Sequence, residues 1–267
     1  MNCVPMHPDH ATLETSEDAV LGGRLTLRQP LRGHRVGHDA ILLAAATEAK
    51  AGEHALDLGA GVGAAGLALA QRVHGLNVTL VEIDPALSAL AADNAQRNGL
   101  GDRVRVVTLD VAAPAVFAAA GLQPASADRV LMNPPFNDPA RQNVSPDAQR
   151  RRAHVGGPGM LPRWLETAAL LLKPGGVLTL IWRADDLDTV LKSLAARFGS
   201  IAVLPVYPRP GAPAIRVLVR ASKGGGALPI HTAGLTLNDS LGQPSAAAEA
   251  ILRGGQTLSF RGSADAN

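Results

Sequence analysis

The sequence predicts an α/β protein built on a doubly wound, mostly parallel sheet. Three observations favour this class. Short runs rich in Val and Leu alternate with runs of helical periodicity over most of the 267 residues. Most spacers between successive apolar runs are long enough for the crossovers that parallel strands need. Only the last two runs are joined by a short turn, rich in Pro and Gly, at 209–213, so these two should pair antiparallel.

The first elements can be located from short signals. Leu25 and Leu27 alternate with polar residues, which is typical of a hairpin-like segment. A helix rich in Ala and Leu follows at 40–50, and Asp39 directly before it is a residue type that caps a helix N-terminus. Both elements precede the first strand of the main sheet.

Strands and helices then alternate along the chain. The predicted strands are 54–59, 77–84, 103–110, 127–135, 177–182, 200–208 and 214–221. The predicted helices are 66–73, 85–99, 163–176 and 186–199. A proline in the first turn and a glycine just past the end mark the limits of the second of these helices.

Composition changes divide the chain into three parts. Residues 1–18 are polar and aperiodic, so we expect a disordered N-terminus. Residues 19–222 form the predicted folded domain, and a glycine-rich break follows it. Residues 223–267 form a C-terminal tail whose only pattern is a short helix within 245–255.

Composition also excludes several classes of protein. With 46% hydrophobic and 18% charged residues, the chain can build a core. A net charge of +2 is compatible with nucleic acid but too small to indicate it. Cys3 is the single cysteine, so we expect neither disulfides nor a bound metal. Without a long apolar run or a secretory signal, we expect a cytoplasmic protein that does not bind membranes.

The segment Leu-Asp-Leu-Gly-Ala-Gly-Val-Gly, residues 56–63, covers the end of the first predicted strand of the sheet and the turn after it. It can be read in two frames. Gly61, Gly63 and Gly66 have the spacing of a dinucleotide-binding turn. The other frame is Asp57 followed by alternating glycines from Gly59 onward. In dinucleotide-binding folds the first glycine lies directly after the strand. Gly59 takes that place here and Gly61 comes two residues too late, so the frame that begins at Asp57 is favoured.

Polar residues follow the next three strands, and parallel strands bring such residues to one edge. Glu82 ends the second strand, where a carboxylate can bind ribose hydroxyls in either frame. Asp110 ends the third strand, where it can face an adenine amino group. Asn-Pro-Pro-Phe at 133–136 ends the fourth, and a hydride-transfer enzyme has no use for that motif. The set as a whole does not fit a dehydrogenase.

In order and position, these motifs resemble the class I S-adenosylmethionine-dependent methyltransferases over residues 20–220. The resemblance implies a Rossmann-like, seven-stranded, mostly parallel sheet with an antiparallel last strand, and S-adenosyl-L-methionine as the cofactor. It also implies a set of cofactor-binding residues, which are Gly37, Asp39, Asp57, Gly59, Gly61, Gly63, Glu82, Asp110 and Asn133.

The Asn-Pro-Pro-Phe motif indicates how a methyl group reaches nitrogen. An exocyclic adenine amine is a poor nucleophile because its lone pair is delocalised into the ring. The Asn133 oxygen and a backbone carbonyl can accept the two N–H groups and orient the lone pair. Pro134 and Pro135 stiffen the loop without adding donors, and Phe136 can stack on the base. We expect these four residues to be catalytic.

The segment before the first strand of the sheet indicates which family of methyltransferases the chain resembles. Val36-Gly37-His38-Asp39 and the Leu-rich helix after it resemble the bacterial tRNA adenine-N6 methyltransferases, which modify the adenosine 3′ to the anticodon of a valine tRNA. That family has Thr where this chain has His38. The resemblance implies an RNA partner, most directly tRNA, and implies that Arg35, Gly37 and Asp39 lie near the methionine end of the cofactor.

Basic residues that could contact phosphates occur before the sheet and after the catalytic motif. They are Arg32, His34, Arg35, His38, Arg141, Arg150, Arg151, Arg152 and His154. A run such as the three consecutive arginines is equally typical of a solvated surface.

Three other functions stay open from the sequence alone. One is methylation of a guanine amine in ribosomal RNA, and another is methylation of a glutamine amide in a protein. The third is a binding protein that has kept the cofactor site without activity. The target nucleotide and the oligomeric state are also open.

Overall fold

The computed structural model describes residues 14–32, 35–135, 159–226 and 229–260. Its strands are β1 (Thr15–Val20), β2 (Leu25–Pro30), β3 (His54–Leu58), β4 (Asn77–Glu82), β5 (Val104–Thr108), β6 (Ala127–Met132), β7 (Leu172–Arg183), β8 (Phe198–Tyr207), β9 (Arg216–Lys223), β10 (Ile230–His231) and β11 (Leu235–Thr236). Its α-helices are α1 (His38–Ala46), α2 (Ala64–Arg72), α3 (Pro85–Arg97), α4 (Met160–Leu171), α5 (Leu187–Leu194) and α6 (Ala246–Leu252).

Seven strands form the central sheet, in the order β8-β9-β7-β6-β3-β4-β5. β9 runs antiparallel to both of its neighbours and the other pairs within β3 to β7 are parallel. The predicted sheet with an antiparallel last strand is therefore confirmed. The chain order of the strands reverses at β3, whose neighbours are β4 and β6. Such a reversal leaves a crevice at the carboxyl ends of the strands, and ligands bind there in folds of this kind.

Helices cover both faces of the sheet. α1, α2, α3 and the β1–β2 hairpin pack on one face, whereas α4 and α5 pack on the other. Alternate strand residues supply the two cores, so Leu80 faces the first layer and Val81 the second. Among the described residues, no helix combines the length and the hydropathy that a membrane span requires.

The N-terminal hairpin is longer than predicted. β1 pairs with β2 over six residues from Thr15 to Val20, so the prediction of disorder was wrong for residues 15–18. The side chains of β1 are half-buried or exposed, and such a strand carries no alternation of apolar residues that would identify it. Residues 1–13 lie outside the described part of the chain.

The tail packs back onto the domain. β10 and β11 extend the sheet by pairing with β8, and neither strand was predicted. The predicted short helix is present as α6, which contacts α1. Beyond it, the Leu258 amide donates to the Ala45 carbonyl at 2.9 Å, and the Arg220 guanidinium lies 5.0 Å from the centre of the Phe260 ring. The boundary at residue 222 stays a prediction.

Candidate active site

The glycine-rich loop between β3 and α2 lies at the reversal point of the sheet. Gly59 has φ of +75°, which side chains disfavour, and a Cβ there would lie 2.4 Å from the Trp164 ring. The amides of Gly59 and Ala60 both donate to the Val81 carbonyl, at 2.8 and 2.9 Å. The loop therefore turns sharply over the end of β4, and only glycine fits at its first position.

Asp57 lies beneath this loop and is 2% exposed. Its Oδ2 accepts the Gly66 amide at 2.8 Å, so its carboxylate faces the first turn of α2. Burial raises the pKa of Asp57 from its ordinary 3.8 to about 7, the Gly66 amide opposes this shift, and the charge of Glu82 adds to it. Because Asp57 contacts the start of the helix, its effect on a ligand would pass through the loop.

Glu82 links the end of β4 to the loop. Its Oε2 accepts the Gly61 amide at 2.7 Å and its Oε1 accepts the Asp84 amide at 2.9 Å. Each carboxylate oxygen has a second lone pair, so both can accept a ligand hydroxyl as well. The side chain of Asp84 in turn caps α3 by accepting the Ala86 amide at 2.8 Å. Glu82 is thus held by backbone amides at the crevice.

Two further predicted site residues, Asp110 and Asn133, lie on either side of Asp57 and Glu82 along the crevice. Asp110 is exposed two residues beyond β5, and its Oδ1 accepts the Ala112 amide at 2.8 Å. Asn133 is half-buried directly after β6, and its side-chain amide has no hydrogen-bond partner among the described residues. Pro134 is buried and Pro135 is exposed, so the turn packs on one side only. Phe136 lies outside the described residues.

These groups occur at the ends of four neighbouring strands, β5, β4, β3 and β6. At about 4.8 Å per strand spacing, they extend roughly 14 Å along the crevice. The crevice carries the Asp110 carboxylate at one end and the Asn133 amide at the other, with the Glu82 carboxylate and the glycine-rich loop between them. This arrangement suits an elongated ligand that carries a base, a sugar and an amino acid. A Cβ at Gly61 would meet no atom within 4 Å, so the loop is open on that side. The residues present therefore fit S-adenosylmethionine.

The segment before α1 is fastened to the hairpin by Gln29, which is 3% exposed. Its Oε1 accepts the Val36 amide at 2.8 Å and its Nε2 donates to Asp18 at 2.7 Å. Asp18 also accepts Arg35 at 2.7 Å, and these contacts, with that of Gln29 the largest, lower the pKa of Asp18. Sequence reasoning missed Gln29 and Asp18, because each is a lone polar residue in a segment without a motif.

Asp39 does not cap α1, so that prediction was wrong. The helix begins at His38 with Gly37 as its N-cap, and Asp39 lies inside the first turn. Its Oδ2 accepts Arg216 Nε at 2.9 Å, next to the end of β7, because Arg216 pairs with Arg183 across the two strands. An interior acid near a helix N-terminus is still favourable, and here it also ties the helix to the sheet.

Most described arginines are paired with a carboxylate or bonded to a backbone carbonyl. Three exposed ones, Arg32, Arg163 and Arg209, have no such partner among the described residues. Arg32 follows β2 ahead of α1, Arg163 precedes the Trp164 that packs on Gly59, and Arg209 follows the end of β8. All three lie at the carboxyl edge of the sheet. The predicted basic residues at 34, 141, 150–152 and 154 lie outside the described part.

The described residues contain no group of three or more His, Cys, Asp or Glu side chains that could hold a metal ion. The carboxylates of the site instead accept backbone amides. Carboxylates held in this way keep lone pairs that can accept hydrogen bonds from the hydroxyl and amino groups of an organic ligand.

Fold and site together define a class I S-adenosylmethionine-dependent methyltransferase. The family profile described as the methyltransferase small domain matches residues 34–205. The chain therefore belongs to the methyltransferase small domain family. The cofactor supplies a methyl group on a positively charged sulfur, which leaves the chain's residues to bind, orient and exclude water.

Individual relatives agree with this assignment. A protein from Bacteroides fragilis named tRNA1(Val) (adenine(37)-N6)-methyltransferase is 32% identical over 188 residues, which cover 69% of this chain and 76% of the relative. A protein of the same name from Dickeya chrysanthemi is 29% identical over 91% of this chain and 97% of the relative. The crystal structure of Atu636 from Agrobacterium tumefaciens, described as a predicted O-methyltransferase, superposes with a TM-score of 0.70 at 28% identity, covering 82% of this chain and 98% of that one.

The raised pKa of Asp57 predicts a specific pH dependence of stability. The folded protein holds this proton more tightly than the unfolded chain, so stability falls as pH rises from 3.8 through about 7. An Asp57→Asn variant keeps an oxygen for the Gly66 amide and removes the buried charge. Between pH 5 and 8 we expect the free energy of unfolding of the wild-type protein to fall by about 2–3 kcal/mol more than that of Asp57→Asn.

Urea denaturation of the cofactor-free protein at several pH values measures this difference. Asp110→Asn, which removes an exposed carboxylate, is the control and should follow the wild-type curve. Parallel curves for the wild-type protein and Asp57→Asn would contradict a raised pKa at Asp57.

Proposed function

We propose that this enzyme transfers the methyl group of S-adenosylmethionine to the exocyclic N6 amine of adenine in tRNA, with adenosine 37 of a valine tRNA as the target. The observation that carries the proposal is the position of Asn133, directly after β6 and beside the glycine-rich loop. The names of the relatives support both the base and its position. A tRNA substrate also supports the prediction of a cytoplasmic enzyme.

The chemistry proposed for the site concerns orientation more than acid–base catalysis. The Asn133 amide oxygen accepts one N–H of the adenine amine, and a backbone carbonyl of the proline turn accepts the other. Holding both hydrogens turns the nitrogen lone pair towards the sulfonium methyl group. The nitrogen attacks the methyl carbon, the carbon–sulfur bond breaks with its electrons remaining on sulfur, and the extra proton leaves the amine afterwards.

A polyanionic substrate suits the charge at the carboxyl edge. Within the described part of the chain, Arg32, Arg163 and Arg209 have no acidic partner, whereas most other arginines there are neutralised or bonded to backbone carbonyls. Arginine side chains without a protein partner are available for phosphates, and such contacts position a nucleic acid without reading its sequence. We propose that these three hold the tRNA backbone around the extruded base.

The alternative functions have less support. Methylation of ribosomal RNA guanine and of protein glutamine are compatible with the Asn-Pro-Pro-Phe motif, but neither is named among the relatives given above. An O-methyltransferase, as the description of Atu636 suggests, has no use for an amide and a backbone carbonyl that together accept the two N–H groups of an amine. These alternatives serve as outcomes of the test.

The direct test offers methyl-labelled S-adenosylmethionine to the purified protein with total tRNA, ribosomal RNA and a protein extract in separate reactions. We expect label in tRNA, recovered as N6-methyladenosine by chromatography and mass spectrometry. A valine tRNA transcript with guanosine at position 37 should lose the signal. Label confined to ribosomal RNA or protein would contradict the proposed substrate.

The Asn133→Ala variant tests the role of the amide in the same assay. We expect at least about 100-fold lower methyl transfer, because the target amine is no longer oriented. Its affinity for S-adenosylmethionine and its urea midpoint serve as controls for the cofactor site and for folding. Full activity in this variant would show that another group orients the amine.

The three unpaired arginines make a separate prediction about salt. Each phosphate contact contributes about 0.7–0.9 to the slope of log affinity against log salt. Replacing Arg32, Arg163 and Arg209 together by Ala should lower that slope by about 2 for a tRNA anticodon arm, measured by fluorescence anisotropy.

A charge-matched triple variant is the control for this measurement. Lys50, Lys192 and Arg197 are exposed and lie away from the carboxyl edge, and replacing them by Ala removes the same charge. We expect it to leave the slope close to the wild-type value. Equal effects of the two triple variants would contradict a specific RNA contact at the carboxyl edge.

A further inference from the structure

Asn94 of α3 joins three parts of the molecule through one buried side chain. It has 0% exposure, and its Oδ1 accepts the Arg28 amide of β2 at 2.7 Å. Its Nδ2 donates to the Arg28 carbonyl and to the Val62 carbonyl, both at 3.0 Å. Both amide hydrogens and the oxygen of the side chain are therefore used. Val62 lies in the glycine-rich loop, so Asn94 connects the hairpin to that loop.

Asn98 also bonds the hairpin through its side chain, but this side chain makes no hydrogen bond to the glycine-rich loop. Its Oδ1 accepts the Thr26 amide at 2.9 Å and its Nδ2 donates to the Thr26 carbonyl at 2.8 Å. Its second amide hydrogen donates to the Asn94 carbonyl in its own helix at 2.7 Å. Two asparagines one turn apart thus bond alternate residues of β2 as a neighbouring strand would. They differ in the contact with Val62.

The contact with Val62 adds to the backbone hydrogen bonds that hold the loop. The Gly59 and Ala60 amides donate to the Val81 carbonyl, and the Gly63 amide donates to the Ala60 carbonyl at 2.8 Å. Gly61 and Gly63 flank Val62 with φ of +57° and +89°, and glycine leaves each peptide plane free to adopt several orientations. The Gly61 amide donates to Glu82, and the Val62 carbonyl, one residue further on, accepts Asn94 Nδ2. Among the described residues, Glu82 and Asn94 are the side chains that bond to the backbone of the loop at 61–62.

The hairpin end of this connection also reaches the site. Arg28 is followed by Gln29, whose side chain accepts the Val36 amide just before Gly37 and α1. A chain of hydrogen bonds therefore extends from the glycine-rich loop, through Asn94 and β2, to the segment that the family resemblance places near the methionine end of the cofactor. A side chain that joins both sides of a ligand site can control how well that site is formed before the ligand binds.

We propose that Asn94 is a positioning residue for S-adenosylmethionine, which keeps the glycine-rich loop in its binding conformation by joining it to the N-terminal hairpin. The inference goes beyond the proposed substrate, because it concerns cofactor capture alone. If loss of this contact leaves about one tenth of the molecules in the binding conformation, the apparent Kd rises about tenfold. Methyl transfer from the bound cofactor is unaffected, since Asn94 touches neither reacting group.

Calorimetric titration of S-adenosylmethionine into Asn94→Ala and Asn98→Ala tests this proposal without any RNA. We expect at least about a tenfold rise in Kd for Asn94→Ala and less than about a twofold change for Asn98→Ala. At saturating cofactor, kcat of Asn94→Ala should equal the wild-type value while the KM for S-adenosylmethionine rises. Equal effects of both variants on Kd, or a lower kcat with unchanged KM, would overturn the proposal.

Hydrogen exchange on the wild-type protein gives a second test that does not depend on a variant that folds. Adding S-adenosylmethionine should slow exchange of the Arg28 amide, whose acceptor is Asn94, more than that of the Thr26 amide, whose acceptor is Asn98. Equal responses of the two amides would show that the hairpin and the loop are not coupled through Asn94. The titration and the exchange measurement use no tRNA, so a wrong substrate would leave both of them interpretable. Only the comparison of kcat with KM needs a methyl acceptor.

Discussion

The site depends on one constraint: the loop after β3 must approach its ligand with bare backbone, so other elements have to hold that backbone in place. Glycines allow the close approach and the sharp turn, but they leave the loop without side chains that could anchor it. The surrounding elements supply the anchors instead, and each acts on a different peptide group or surface of the loop. They are Trp164 of α4, Glu82 of β4 and Asn94 of α3.

The two layers of helices reach this loop from opposite faces of the sheet. The indole ring of Trp164 in α4 packs against Gly59, the first glycine of the loop. From the other face, the buried side-chain amide of Asn94 in α3 bonds both the loop and the hairpin. The hairpin carries Gln29 and thereby the segment that leads into α1. The N-terminal segment, the loop and the strand ends consequently form one connected site, although no sequence motif links them. Asn133 lies directly after β6, beside β3, where the strand order reverses.

The succession of strands and helices along the chain, and the strand ends at which polar residues lie, were predictable, because apolar periodicity and the glycine motif are local signals. Contacts between residues that are distant in the sequence could not be predicted. In the sequence Asn94 and Asn98 are ordinary polar positions of a helix, and only the fold reveals that they bond residues of β2 that lie 66 and 72 positions away, respectively. Asp39 looked like a cap, whereas the fold pairs it with Arg216. β1 and the tail strands lacked periodicity, since few of their residues are buried.

The measurement that tests the account most directly is a calorimetric titration of the purified protein with S-adenosylmethionine and, separately, with NAD+. The glycine-rich loop was assigned to the frame that begins at Asp57, and every role given to its neighbours depends on that frame. We expect one S-adenosylmethionine bound per chain and no heat of binding with NAD+. Saturable binding of NAD+ without binding of S-adenosylmethionine would contradict it and restore the dinucleotide frame.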